Sequence, residues 1–300
     1  MLPLARPAVF ISLGVFASSY LAIWVRSLAR SSNRLPIPTA LVLLTGFVTN
    51  FFDTLGIGSF ATTTSIFKFT RMVPDRLIPG TLNAGHTLPV ILQAFIYIAV
   101  IQVDVRTLLL MIAGAVVGAW FGAGWVAGLP KRSVQIGVAV ALLVAFVVLL
   151  MRQFDLFPAG GDALGLSGYK LLFAVLANAL FGAISTLGIG FYAPCMTLVG
   201  LMGMNPAAAF PIMMGSGAFL MPVASSRFVL RNAYSPGIAL GLTLGGLIGV
   251  PVAAFIVRSI PLTALRWLVM AVILYAAVAM LRSAWVESKT VPSATEPTYT

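Results

Sequence analysis

Thr54-Leu55-Gly56-Ile57-Gly58 recurs as Thr186-Leu187-Gly188-Ile189-Gly190, 132 positions further on, and each copy interrupts an apolar stretch. The two strings read as related breaks in membrane helices that face each other across a binding site. The remainder of the chain is read outward from them.

Of the 300 residues 60% are hydrophobic and only 8% charged, and the mean hydropathy is +1.05; soluble domains are about a quarter charged. This is the composition of a polytopic membrane protein. Charged residues leave uncharged windows at 7–25, 77–103, 107–130, 133–151, 171–226 and 232–257, each at or beyond the ~18 residues of a spanning helix. In lipid such segments satisfy their own backbone only as helices, so an all-α fold is expected. The net charge of +11 sits in short loops between apolar runs, which points to orientation in a bilayer and not to nucleic acid. A single cysteine, Cys195, allows no internal disulfide, and the sequence has no metal-ligand cluster, phosphate loop or nucleophile motif. No metal or cofactor is expected.

Residues 8–25 form an apolar helix followed by Arg26, Arg30 and Arg34. A signal peptide would have a shorter apolar core and its basic residues in front, so a retained spanning helix is expected. After Pro36 and Pro38, apolar residues 40–52 lead to Asp53 and the first break, and 59–69 continue to Lys68 and Arg71. Each piece is ~12 residues, or ~18 Å of a ~30 Å core. They either stack as one broken span or double back as a re-entrant hairpin. If both breaks are hairpins, twelve basic residues fall on one side and six on the other; if both span, the division is ten against eight. Positive-inside bias favours hairpins, with the richer side and the C-terminus cytoplasmic.

Three spans follow each hairpin: about 78–101, 107–128 and 134–151 in the first half, and about 207–226, 237–257 and 262–281 in the second. The halves share more than the five-residue string. Met72, Pro74, Pro79 and Gly85 match Met204, Pro206, Pro211 and Gly217 at 132 positions, and Gly114, Gly118 and Pro130 match Gly245, Gly249 and Pro261 at 131. That is a duplication. An odd number of spans per half makes the copies enter from opposite sides, an inverted repeat of the kind that places a transporter site at mid-membrane. The expected organisation is an N-terminal helix and basic loop (1–36), a first repeat (37–152), a Gly-rich linker (153–170), a second repeat (171–283) and a polar, mobile tail (284–300).

Each break offers a helix N-terminus inside the membrane, where free N–H groups and the positive dipole end can hold an anion without a buried Lys or Arg. The candidate donors are Gly56, Gly58, Ser59, Thr62 and Thr63 at the first break and Gly188, Gly190 and Tyr192 at the second, with Asn50, Asn83 and Ser216 nearby. The bland reading is that the glycines only permit close helix contact. Asp53 is the one carboxylate expected deep in the bilayer, and its counterpart is Ser185. It costs ~2.5 kcal/mol or more there, so it is either a coupling group or a cap for the second half-helix. His86, the only histidine, lies one turn after Asn83; it is either a coupling group or a satisfied core residue. Cys195 reads as packing. Gly114, Gly118 and Gly122, and Gly241, Gly245 and Gly249, have small-xxx-small spacing, which reads as tight helix contact.

The segment Gly46-Phe47-Val48-Thr49-Asn50-Phe51-Phe52-Asp53-Thr54-Leu55-Gly56-Ile57-Gly58 with Pro74, and Ala183-Ile184-Ser185-Thr186-Leu187-Gly188-Ile189-Gly190 with Pro194, resembles the duplicated Gly-x-Gly signature of the TauE/SafE sulfite exporter family over roughly residues 40–283. The resemblance implies a multi-pass transporter of the cell (inner) membrane, moving sulfite, an organosulfonate or a related organic anion by alternating access with proton or ion coupling. Ser59-Phe60 and Phe191-Tyr192 stand where members usually continue with glycines. These bulkier residues narrow the cavity or change its ligand. A passive anion channel is the alternative; a membrane enzyme built on Asp53, His86 and Cys195 is the third reading, and nothing in the spacing ties those three together. The expected partners are a small anion, a coupling proton or ion, and the bilayer.

Overall fold

The computed structural model of the protein describes residues 5–30, 37–126, 131–154, 161–185, 191–259 and 261–290. Among them the chain is all-α, with no strand: α1 (Ala5–Arg30), α2 (Ala40–Thr54), α3 (Ser59–Thr70), α4 (Ile78–Val100), α5 (Val105–Val126), α6 (Lys131–Gln153), α7 (Gly168–Ser185), α8 (Tyr192–Leu201), α9 (Ala209–Leu230), α10 (Pro236–Ser259) and α11 (Leu262–Thr290). Among the described residues five segments are long and apolar enough to cross a membrane: Arg6–Ala29, Ile78–Val100, Gly168–Ser185, Pro206–Leu230 and Pro236–Ile256. Large apolar side chains such as Ile11, Phe121, Phe173, Ile248 and Phe255 point outward, as lipid-facing surfaces require.

The first break is built by its glycines. Gly56 N–H donates to the Asp53 carbonyl at 2.8 Å and Ile57 N–H to the Phe52 carbonyl at 3.1 Å. With Gly56 at φ 95°, this is a Schellman cap that ends α2. Gly58, also left-handed at φ 90°, then aims the chain into α3.

Past this turn the chain doubles back. His86 of α4 contacts Asn50 Oδ1 through Nδ1 and Thr63 Oγ through Nε2, each at 3.0 Å. Stacked end to end, Asn50 and Thr63 would lie roughly 20 Å apart at 1.5 Å per residue. One imidazole can touch both only if α2 and α3 lie side by side.

Close helix contact organises the bundle. α2 packs along α10, α5 along α7, α4 along α9 and α6 along α11. Glycines make the first two contacts possible. A Cβ on Gly245 or Gly249 of α10 would collide with the carbonyls of Leu43 or Phe47 on α2. A Cβ on Gly114 or Gly118 of α5 would collide with those of Val175 or Ala179 on α7. α1 lies outside this set, against α9 and α4. Its Val9, Leu13, Tyr20 and Trp24 are buried, and Tyr20 Oη donates to the Ala84 carbonyl at 2.8 Å.

Two ends of the bundle can be told apart by their loops. At one end the turn before α4 meets the turn before α10: Ser235 N–H donates to Thr81 Oγ at 2.9 Å, and the end of α1 joins them where Trp24 Nε1 donates to Tyr234 Oη at 3.2 Å. Arg26, Arg71, Arg76, Arg227 and Arg231 are exposed on segments at this end. At the other end residues 161–167 are stitched down. Asp104 N–H donates to the Leu164 carbonyl at 2.7 Å and Asn205 N–H to the Ala163 carbonyl at 2.9 Å, while Leu166 N–H donates to Thr107 Oγ at 2.9 Å. The C-terminal part of the Gly-rich linker is therefore pinned between the α4–α5 and α8–α9 turns. The polar tail also departs from expectation: α11 continues helical to Thr290, with Gln135 Nε2 donating to Ser283 Oγ at 3.1 Å and Ala284 buried.

Candidate functional site

The site grows from the cap of α3. Asp53, the second-last residue of α2, directs its side chain across the break, and Oδ1 accepts from Ser59 N–H at 2.6 Å. Oδ2 accepts from Gln93 Nε2 of α4 at 2.9 Å. The same Gln93 nitrogen donates to Thr54 Oγ, also at 2.9 Å. Thr54 Oγ donates to the Asn50 carbonyl at 2.7 Å, and Tyr97 Oη donates to the Thr54 carbonyl at 2.8 Å. Asp53, Thr54, Ser59 and Gln93 are all buried. Ser59, through its N–H and its hydroxyl, and Gln93 Nε2 donate to the carboxylate, and among the described residues no cation stands against it.

Three residues before Asp53 on α2, Asn50 joins His86 and Thr63 in a second polar layer. Asn50 Nδ2 donates to the Gly46 carbonyl at 2.8 Å, leaving Oδ1 for His86. The ring of Phe60 lies 6.0 Å from the imidazole. His86, Gln93 and Tyr97 succeed one another at i, i+7 and i+11, one stripe of α4 turned toward the hairpin. Sequence reasoning missed Gln93 and Tyr97. The signal was the spacing from His86, together with an amide in the otherwise apolar stretch Leu88–Val100.

Several of the expected anion donors have partners within the protein. The Ser59 amide is not free: Asp53 occupies the N-terminus of α3. Thr62 Oγ is spent on the carbonyls of Gly58 and Ser59, at 3.2 Å and 2.8 Å, and Thr63 on His86. Thr62 is drawn to the carbonyls of its own helix's first turn, whereas Thr63 reaches across to α4. Asn83 does not join the site. Its Nδ2 donates to the Pro79 carbonyl at 2.8 Å, near the Arg-rich end. Ser216 is buried on α9 and donates to the Ile212 carbonyl at 2.8 Å.

Gly56 faces the second half directly: a Cβ there would stand 2.5 Å from Met196 Cε of α8. Tyr192, at the start of α8, passes close to α9, and a Cβ on Gly217 would stand 3.2 Å from its hydroxyl. Cys195 is fully buried in the apolar core, a packing position. Gly188 and Gly190 lie outside the described residues. Among the described residues no group of three His, Cys, Asp or Glu gathers as a metal site would need.

Comparison with protein-family models, with curated proteins and with solved structures gives no match for this chain.

Proposed function

We propose that the chain is a secondary transporter for a small anion, built from two inverted repeats that rock about a site at the α2–α3 break. The observation that carries this reading is the pairing of helix contacts. The Gly114–Val175 and Gly118–Ala179 contacts of α5 and α7 stand at the sequence offsets of Gly245–Leu43 and Gly249–Phe47 in α10 and α2. Each interface joins one helix from either half, and α4–α9 and α6–α11 pair a helix with its own counterpart. A duplicated, interlocked bundle with a doubled-back break near its middle is a transporter plan, in which half-helix ends and unwound backbone form the site.

The hairpin reading is supported by the side-by-side placement of α2 and α3 and by the shared end of Arg26, Arg71 and Arg231 segments. On positive-inside reasoning that end is cytoplasmic in a cell inner membrane. The substrate class follows from the TauE/SafE-like Gly-x-Gly strings: sulfite, an organosulfonate or a related organic anion. Asp53 is the proposed coupling group. His86, hydrogen-bonded on both nitrogens between two helices, is instead a brace of the hairpin.

Purified protein in liposomes should take up sulfite or methanesulfonate saturably, with flux that responds to an imposed pH gradient. Flux that rises without saturation and ignores the gradient would replace the transporter reading with a channel.

A further inference from the structure

We infer that Asp53 is a tethered competitor of the transported anion, and that its protonation, answered by a flip of the Gln93 amide, turns the break into an anion site. The inference rests on the transporter reading and specifies how its site is gated.

An ionised carboxylate only accepts hydrogen bonds, so the amide nitrogen of Gln93 must face Oδ2. That leaves Gln93 Oε1 buried with no hydrogen-bond partner. A fully buried amide oxygen without a donor carries an uncompensated desolvation penalty. In this state the site refuses anions twice over. Asp53 Oδ1 occupies the Ser59 amide, and the unpaired lone pairs of the buried Oε1 repel a second negative charge.

Adding one proton to Asp53 Oδ2 reverses the second feature and weakens the first. The new O–H needs an acceptor, and rotating the Gln93 amide by half a turn supplies Oε1, which then has its donor. The same rotation gives up the bond from Nε2 to Thr54 Oγ and carries the two Nε2 hydrogens to where Oε1 stood. An incoming anion can take them. The bond from Ser59 N–H to Oδ1 loses its charge assistance on protonation and becomes easier to displace. Space exists beside it: a Cβ built on Gly58 has nothing within 4 Å. Proton and anion thus bind together, and the negative charge that leaves with Asp53 is restored by the substrate.

No other group near the carboxylate competes for this role. α4 brings Tyr97, which donates to the Thr54 carbonyl, and His86, whose nitrogens are both engaged. α8 brings Tyr192 and the buried Cys195. α3 has no titratable residue from Ser59 to Phe67, and α10 has none from Pro236 to Ile256.

The test uses the full-length protein in liposomes with radiolabelled methanesulfonate, sulfate and thiosulfate, whose charges are constant from about pH 5 to about pH 8, and a trapped pH dye. For the wild type the apparent affinity should rise up to tenfold per unit fall in pH above the titration of Asp53, and uptake should acidify the lumen. Asp53→Asn, a permanent mimic of the protonated form, should take up the same anion with an affinity independent of pH and without moving protons. Gln93→Met should keep the pH dependence and lose at least tenfold in affinity. Saturable wild-type uptake that is indifferent to pH, or an Asn variant that keeps the wild-type pH profile and proton flux, overturns the inference and leaves the transporter reading standing. Absence of saturable uptake of all three anions at every pH removes the transporter reading and the inference with it.

Discussion

Replacing His86 by Leu removes the brace between the two arms of the hairpin while keeping roughly the same volume, so the effect is polar and not a cavity. Two hydrogen bonds at 3.0 Å are lost, to Asn50 Oδ1 and Thr63 Oγ. Neutral bonds contribute about 1 kcal/mol each. Thr63 can turn to the carbonyl four residues back, as Thr62 does with Gly58. Asn50 Oδ1 has no such escape, because its Nδ2 is already fixed on the Gly46 carbonyl. An orphaned buried acceptor adds about 1–2 kcal/mol, for a total of about 2–4 kcal/mol. In detergent this should lower the unfolding temperature by roughly 5–10 °C. The double variant with Thr63→Val should be less destabilised than the sum of the singles by about 1 kcal/mol, since both remove one shared contact. A His86→Leu protein that melts within about 1 °C of the parent, with no coupling to Thr63, would refute the brace and with it the argument that α2 and α3 are held side by side.

Gly56→Ala and Gly58→Ala both force a side chain into left-handed backbone, at about 1–2 kcal/mol, but only the Cβ at Gly56 meets an atom, Met196 Cε at 2.5 Å. Gly56→Ala should be the more destabilising by thermal shift, and Met196→Ala should close part of the gap. Gly118→Leu and Gly245→Leu each drive a side chain into a facing carbonyl and should abolish monodisperse protein in size-exclusion chromatography, whereas Gly137→Leu, with nothing within 4 Å, should not. Cysteines placed at Arg71 and Arg231 should label with an impermeant maleimide from one side of the membrane and one at Arg106 from the other; the native Cys195, fully buried, should stay silent in the folded protein. Labelling of Arg71→Cys and Arg231→Cys from opposite sides would exclude the doubled-back hairpin.

The break itself was legible because its chemistry is local. Thr54-Leu55-Gly56-Ile57 carries a Schellman cap in its letters, with glycine at the left-handed position and an apolar residue after it. The small-xxx-small glycines were legible as contacts for the same reason: spacing along a helix fixes which residues share a face. What spacing cannot give is the partner. That Gly245 meets Leu43, or that Asp53 reaches forward to Ser59 and not outward to an anion, depends on how separate helices come together. Gln93 hid among apolar neighbours, and its importance lies in an unpaired oxygen that exists only once Asp53 has taken its nitrogen. Asn83 misled for a related reason: one helical turn from His86 is still far enough for its side chain to find the Pro79 carbonyl first.

On the proposed duplication, the polar layer of the first half has a cause in the second. Asn50 can lie between α2 and α10 only because Gly246 has no side chain; a Cβ there would stand 2.5 Å from Asn50 Nδ2. At the corresponding offsets the other interface has Gly182 on α7 and Ala115 on α5, and here Gly182 is the residue without room, its Cβ colliding with the Ala115 carbonyl. Small and large have changed places across the same joint. A neighbouring joint shows the reverse exchange: Gly46 presses on the carbonyl of Leu242, whereas its counterpart Asn178 donates to the carbonyl of Met111 at 2.7 Å. Each half therefore spends one amide in an interhelical contact, but only the first places it beside the histidine of α4, and only there does a carboxylate follow three residues later. Gly246→Ala should accordingly act through Asn50. It should push the amide off His86 and reproduce the instability of His86→Leu, while Ala115→Gly at the matching place should leave the protein folded with a loss of about 1 kcal/mol, the propensity difference alone. Equal effects from the two substitutions would mean that the joints are not counterparts, and that the asymmetry of the site owes nothing to the exchange.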